Sequence, residues 1–190
     1  MNYNFHTHTI RCGHARGTPE EYIKRAIEGG IKYMGFSDHM PYICTDGYEA
    51  TYRVPVSEVE EYVSEISLLR DKYKDIIDIK IGFEMEYYPK YFKNMLKNAI
   101  KYGAEYLILG AHFTDEEHPG GIHTIKETDS IEKLKEYVSC VCEGIKSGVF
   151  TYIAHPDICN FTGDDKFYNE EMRKICVFSR EFQVPLEINF

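Results

Sequence analysis

The chain has 190 residues, with 22 Lys and Arg against 31 Asp and Glu, a net charge of −9, and is 43% hydrophobic and 28% charged. At that length and balance one compact soluble domain spanning 1–190 is expected. Two classes are excluded: no apolar run approaches the ~18 residues of a membrane helix, and no basic stripe could displace counterions from nucleic acid.

The opening residues, Met-Asn-Tyr-Asn-Phe-His-Thr-His-Thr, have neither the basic flank nor the apolar stretch of a secretory signal, so a cytoplasmic location is expected. The six cysteines are irregularly spaced, without paired CxxC motifs, and read as reduced thiols.

In chain order, short apolar strands are predicted at 2–5, 33–36, 79–83, 106–109, 151–154 and 186–189. Helical periodicity fills the intervals. Thr18-Pro19-Glu20-Glu21 is a start signal and Gly29-Gly30 a stop. Further helices are predicted over 57–73, 89–102, 130–147 and 168–182. Such alternation implies parallel strands joined by right-handed crossovers, in a doubly wound sheet or a barrel. In either, ligands are held beyond the carboxyl ends of the strands.

Those ends carry an unusual set of side chains. The first strand runs into His6-Thr7-His8, the second into Ser37-Asp38-His39, the third into Glu84, the fourth into His112 and the fifth into His155-Pro156-Asp157. Residues two apart in an extended segment share a face, so His6 and His8 can offer two imidazoles to one ion. A single histidine is better read as a structural one, but five strand ends with His or Glu form a pattern. Imidazoles and carboxylates together suit zinc, manganese or iron. A carboxylate such as Glu84 can bridge two ions, and paired ions favour phosphate ester hydrolysis. No GxSxG, P-loop or dinucleotide fingerprint competes.

The ordered set His6-Thr7-His8, Cys12-Gly13-His14-Ala15, Phe36-Ser37-Asp38-His39, Gly82-Phe83-Glu84, Gly110-Ala111-His112-Phe113 and Ala154-His155-Pro156-Asp157 resembles the polymerase-and-histidinol-phosphatase (PHP) superfamily, in its histidinol-phosphatase branch. The resemblance implies a distorted (β/α)7 barrel, here incomplete with about six parallel strands. It implies two or three divalent ions: His6 and His8 on the first, Glu84 bridging first and second, His112 and His155 completing the second, and His14 and His39 on the third. It further implies hydrolysis of L-histidinol phosphate to L-histidinol and phosphate, in histidine biosynthesis. The family's late Asp-x-His motif has no counterpart before Phe190, so the chain reads as C-terminally truncated. A homodimer covering the unfinished barrel edge is then expected. Alternatives are another small phosphate ester or nucleotide as substrate, or a metal-binding protein without turnover.

Around this set, Asp38 is a candidate for orienting a ligand or assisting proton transfer. His123, and His118 in the same loop, are candidates for meeting substrate or protonating a leaving group. Arg16 and Arg53 are candidates for holding a phosphate.

Overall fold

The computed structural model describes residues 2–42, 46–114, 117 and 120–188. The chain divides into two compact units, Met1–Glu84 with Lys93–Tyr106, and Met85–Phe92 with Leu107–Phe190. Among the described residues, no helix is long and apolar enough to cross a membrane.

The first unit runs β1 (Tyr3–Asn4), α1 (Pro19–Glu28), β2 (Tyr33–Phe36), α2 (Val59–Tyr73), β3 (Asp78–Met85) and α3 (Phe92–Lys101), apart from Met85 and Phe92. β1 lies parallel to β2 with Tyr3 opposite Tyr33, and β2 parallel to β3 with Phe36 opposite Ile81. β3 is buried along almost its whole length, as a parallel strand covered on both faces must be. Ile23, Phe36, Tyr62, Ile66, Ile79 and Phe83 are fully buried in this unit's core.

α1 starts where the sequence signals it. Thr18 Oγ1 accepts from Glu21 N and Glu21 Oε2 accepts from Thr18 N, a reciprocal cap on two otherwise unbonded amides. α2 begins two residues later than expected, because Pro55 and Glu58 supply no capping side chain and Val56–Glu58 form a 3-10 turn instead.

One packing device crosses this sheet. A Cβ on Gly82 would lie 2.4 Å from the Tyr106 ring, and one on Gly35 would lie 2.2 Å from its hydroxyl. Two glycines on adjacent strands thus leave a slot for one tyrosine. The Tyr106 hydroxyl donates to the Phe5 carbonyl at 2.8 Å, immediately before His6.

The second unit carries β4 (Tyr106–Leu109) from Leu107 onward, α4 (Ile131–Lys146), β5 (Tyr152–Ile153) and α5 (Asp165–Phe182). β4 pairs parallel with β5, Leu109 opposite Ile153. α4 is capped by Ser130. α5 starts three residues earlier than expected because the Asp164 carboxylate accepts from Lys166 N and Phe167 N. Among the described residues the sixth strand reduces to one parallel bridge, Ile153 with Leu186. Pro185 O accepts from Ile153 N, and Ile153 O accepts from Glu187 N.

Candidate metal centre

In the first unit, His6 and His8 follow β1 and bring their Nε2 atoms to 3.1 Å. Glu84, at the end of β3 and 1% exposed, sets Oε2 3.4 Å from His6 Nε2 and 3.2 Å from His8 Nε2. The same oxygen lies 3.3 Å from His39 Nδ1. A parallel bridge sets His39 level with Glu84, with Met40 N donating to Glu84 O at 2.7 Å. His14 follows the 3-10 turn Ile10–Cys12, and its ring centre lies 4.9 Å from that of His8 and 5.2 Å from that of His39.

These distances test the fit of a cation. Ligand atoms about 2.1 Å from a tetrahedral ion stand about 3.4 Å from one another, and about 3.0 Å at right angles in an octahedron. The triangle of His6 Nε2, His8 Nε2 and Glu84 Oε2 has edges of 3.1, 3.2 and 3.4 Å. Two imidazole nitrogens and a carboxylate oxygen therefore stand at the spacing of one coordination face, and the donor types fit zinc, manganese or iron.

Asp38 is fully buried behind this face. Its Oδ1 accepts from Thr9 N at 2.5 Å and from the Cys12 thiol at 3.0 Å, and its Oδ2 accepts from the Thr9 hydroxyl. Oδ1 also stands 3.6 Å from His8 Nδ1. The carboxylate thus holds the segment after β1 and faces the outer nitrogen of His8, favouring a proton on Nδ1 and a lone pair on Nε2. Burial alone would lower the His8 pKa, but hydrogen bonds to Asp38 and Glu84 outweigh it and leave it above the ordinary value. Burial, reinforced by the charge of Asp38, pushes the Cys12 thiol far up, so its sulfur remains a donor. The five described cysteines are free, as expected.

In the second unit, His112 follows β4 and its ring centre lies 4.9 Å from that of His155 after β5. Glu86, 1% exposed, accepts from His112 N through Oε2 at 3.0 Å, and its Oε1 lies 2.6 Å from His112 Nδ1. His155 has a φ of 30°, a left-handed conformation that side chains with a Cβ avoid at a cost of about 1–2 kcal/mol. Its N–H donates to Glu187 at 2.9 Å, which helps hold the turn. Strain of this kind concentrates where a side chain must be aimed.

His123 lies beside His112, ring centres 5.4 Å apart. Its Nδ1 accepts from Ile125 N at 3.2 Å, which places the ring proton on Nε2. Burial, and then the charge of His112, lowers its pKa, so near neutral pH it is an uncharged donor. His123 also opens onto a cavity of about 290 Å³ walled by Phe113, Ile122, Tyr137 and Cys159.

The structure thus brings His6, His8, His14, His39, Asp38 and Glu84 together in one unit and His112, His123 and His155 in the other. His118 lies outside the described residues. Arg16 is exposed on the turn before α1. Arg53 is 1% exposed, and its guanidinium donates to Met40 O at 3.1 Å, bracing the backbone beside His39. Sequence reasoning missed Glu86 and Glu187. Glu86 had a usable signal, its i+2 spacing from Glu84 at a strand end; Glu187 had none.

Fold and side chains together define a class, the parallel α/β proteins that gather imidazoles and carboxylates at their strand ends. Within that class the chain belongs to the PHP domain family, whose model matches residues 4–189. A probable histidinol-phosphatase of Deinococcus radiodurans is 30% identical over 156 residues, covering 80% of this chain and 59% of that protein. The histidinol-phosphatase of Bacillus subtilis is 29% identical over 164 residues, covering 77% of this chain and 61% of that protein. The chain therefore spans about three fifths of the length of these relatives.

A crystal structure of histidinol phosphate phosphatase from Lactococcus lactis, complexed with zinc, L-histidinol and phosphate, superposes with a TM-score of 0.75 at 20% identity, covering 99% of this chain and 73% of that one. A putative histidinol phosphatase from Listeria monocytogenes gives 0.73 at 22% identity, covering 97% and 80%. The expected fold is borne out.

Proposed function

We propose that this chain carries the metal-binding and catalytic residues of a phosphomonoester hydrolase acting on L-histidinol phosphate. The observation that carries the reading is the triangle of His6 Nε2, His8 Nε2 and Glu84 Oε2 at coordination spacing. The histidinol-phosphatase relatives, and the zinc, L-histidinol and phosphate of the Lactococcus lactis complex, support it.

His6, His8, His14, His39 and Glu84 in the first unit, and His112 and His155 in the second, are the proposed ligands of two or three divalent ions. When bound, these ions supply Lewis acidity toward phosphoryl oxygens and lower the pKa of water. The chain's own residues do the rest. Asp38 fixes the segment carrying His8. Neutral His123 offers its Nε2–H to the oxygen of the departing alcohol. Arg16 is free to approach a phosphate from solvent.

Purified protein loaded with zinc or manganese is assayed on L-histidinol phosphate beside sugar phosphates, nucleoside monophosphates and p-nitrophenyl phosphate. The expected result is the highest kcat/KM on L-histidinol phosphate. Equal rates across the panel would leave a general phosphoesterase, and no turnover of any ester by the metal-loaded protein would end the enzymatic reading.

A further inference from the structure

The structure assigns Glu86 the task of setting the tautomer and direction of the His112 ring, a positioning role that rests on His112 being a metal ligand as proposed above. Both oxygens of this buried carboxylate are engaged by the same residue, Oε2 by the backbone N–H at 3.0 Å and Oε1 by Nδ1 at 2.6 Å. The double contact fixes the backbone and the ring of His112 at once. A rotation of the ring breaks the second contact, and a shift of the chain breaks the first.

An ionised carboxylate only accepts hydrogen bonds, so a neutral ring at this distance carries its proton on Nδ1. That leaves a lone pair on Nε2, directed away from Glu86, where an ion can bind it. Glu84 and Glu86, two positions apart, thus divide the work: Glu84 faces histidine nitrogens directly, whereas Glu86 acts through a histidine. Carboxylates that hold a ligating imidazole in this way typically matter about 10–100-fold in metal affinity.

Glutamine is the discriminating replacement, because it offers one accepting oxygen where His112 presents two N–H groups. In Glu86→Gln the amide either donates to Nδ1, which turns the ring to the Nε2–H tautomer, or faces its NH₂ toward the backbone N–H. Two measurements test the assignment. In metal-free wild-type protein, long-range ¹H–¹⁵N spectra of His112 should show a pyrrole-type Nδ1 and a pyridine-type Nε2. In Glu86→Gln the Nε2–H form should grow, and zinc titrated alone should bind one site about 10–100-fold more weakly, with the remaining sites unchanged.

An Nε2–H ring in the wild type would overturn the assignment without any variant, even if Glu86→Gln failed to fold. So would wild-type zinc affinity in a folded Glu86→Gln protein. If the tautomer and zinc results hold while no ester is hydrolysed, the phosphatase reading fails and this one stands.

Discussion

Glu84 is the residue on which most of the candidate centre turns, since one of its oxygens faces three imidazole nitrogens within 3.4 Å. Glu84→Gln should remove a negative charge from among these donors while keeping the volume. The expected outcome is loss of more than one equivalent of bound zinc by calorimetry, with the fold retained by circular dichroism; full zinc stoichiometry would refute a bridging role. Two histidines also set a pH signature for the metal-free protein. His8 titrates above the ordinary histidine value, so its contribution is present below about 6.5 and fades as pH rises toward its folded pKa. His123 titrates below the ordinary value, so its contribution is present above about 6.5 and fades as pH falls through the window beneath it. These two histidines alone therefore favour the folded metal-free chain less on either side of about pH 6.5. Denaturant titrations from pH 5 to 8 check this, and His123→Gln should flatten only the acidic side.

Secondary elements show why some of the chain was legible in sequence and some was not. Helix starts depend on side chains one to three positions away, so Thr18 and Ser130 marked α1 and α4 correctly. Asp164 was equally local evidence, and overlooking it displaced the start of α5. Thr18→Ala should cost about 1 kcal/mol in denaturant unfolding, the usual worth of a side-chain cap. The Tyr106 slot has no local signature, because Gly35, Gly82 and Tyr106 meet only through strand pairing. Gly82→Ala would force a methyl group to within 2.4 Å of the ring. Overpacking of this kind costs about 1–3 kcal/mol. Its zinc affinity should fall as well, because the displaced tyrosine no longer fixes Phe5 beside His6; an unchanged zinc isotherm would separate the slot from the site.

For the chain as a whole, the ligand candidates were readable because in parallel α/β proteins ligands are held beyond the carboxyl ends of the strands. Their supports were not: Asp38 meets Thr9 across 29 positions and Glu86 meets His112 across 26, and neither pairing follows from topology. Ion binding should stabilise the entire chain, since an unfolded chain keeps no such set of donors. Zinc at 100 times its dissociation constant should add about 2.7 kcal/mol to unfolding, and a chelator should remove it. Scanning calorimetry with zinc and then with chelator checks this; an unshifted midpoint would mean the ion does not bind the folded state. The expected homodimer is a separate matter for sedimentation velocity. Tyr3 and Tyr33, about half exposed on β1 and β2, are the residues to replace by Lys if a dimer is found.

The hydroxyl of Tyr106 reaches back 101 positions to the carbonyl before His6. During synthesis the histidine pair is made well before its anchor, which follows 101 positions after Phe5. The candidate ion-binding face is therefore encoded in two widely separated steps, and a nascent chain should not hold zinc in this geometry until residue 106 has been delivered to the slot between two glycines.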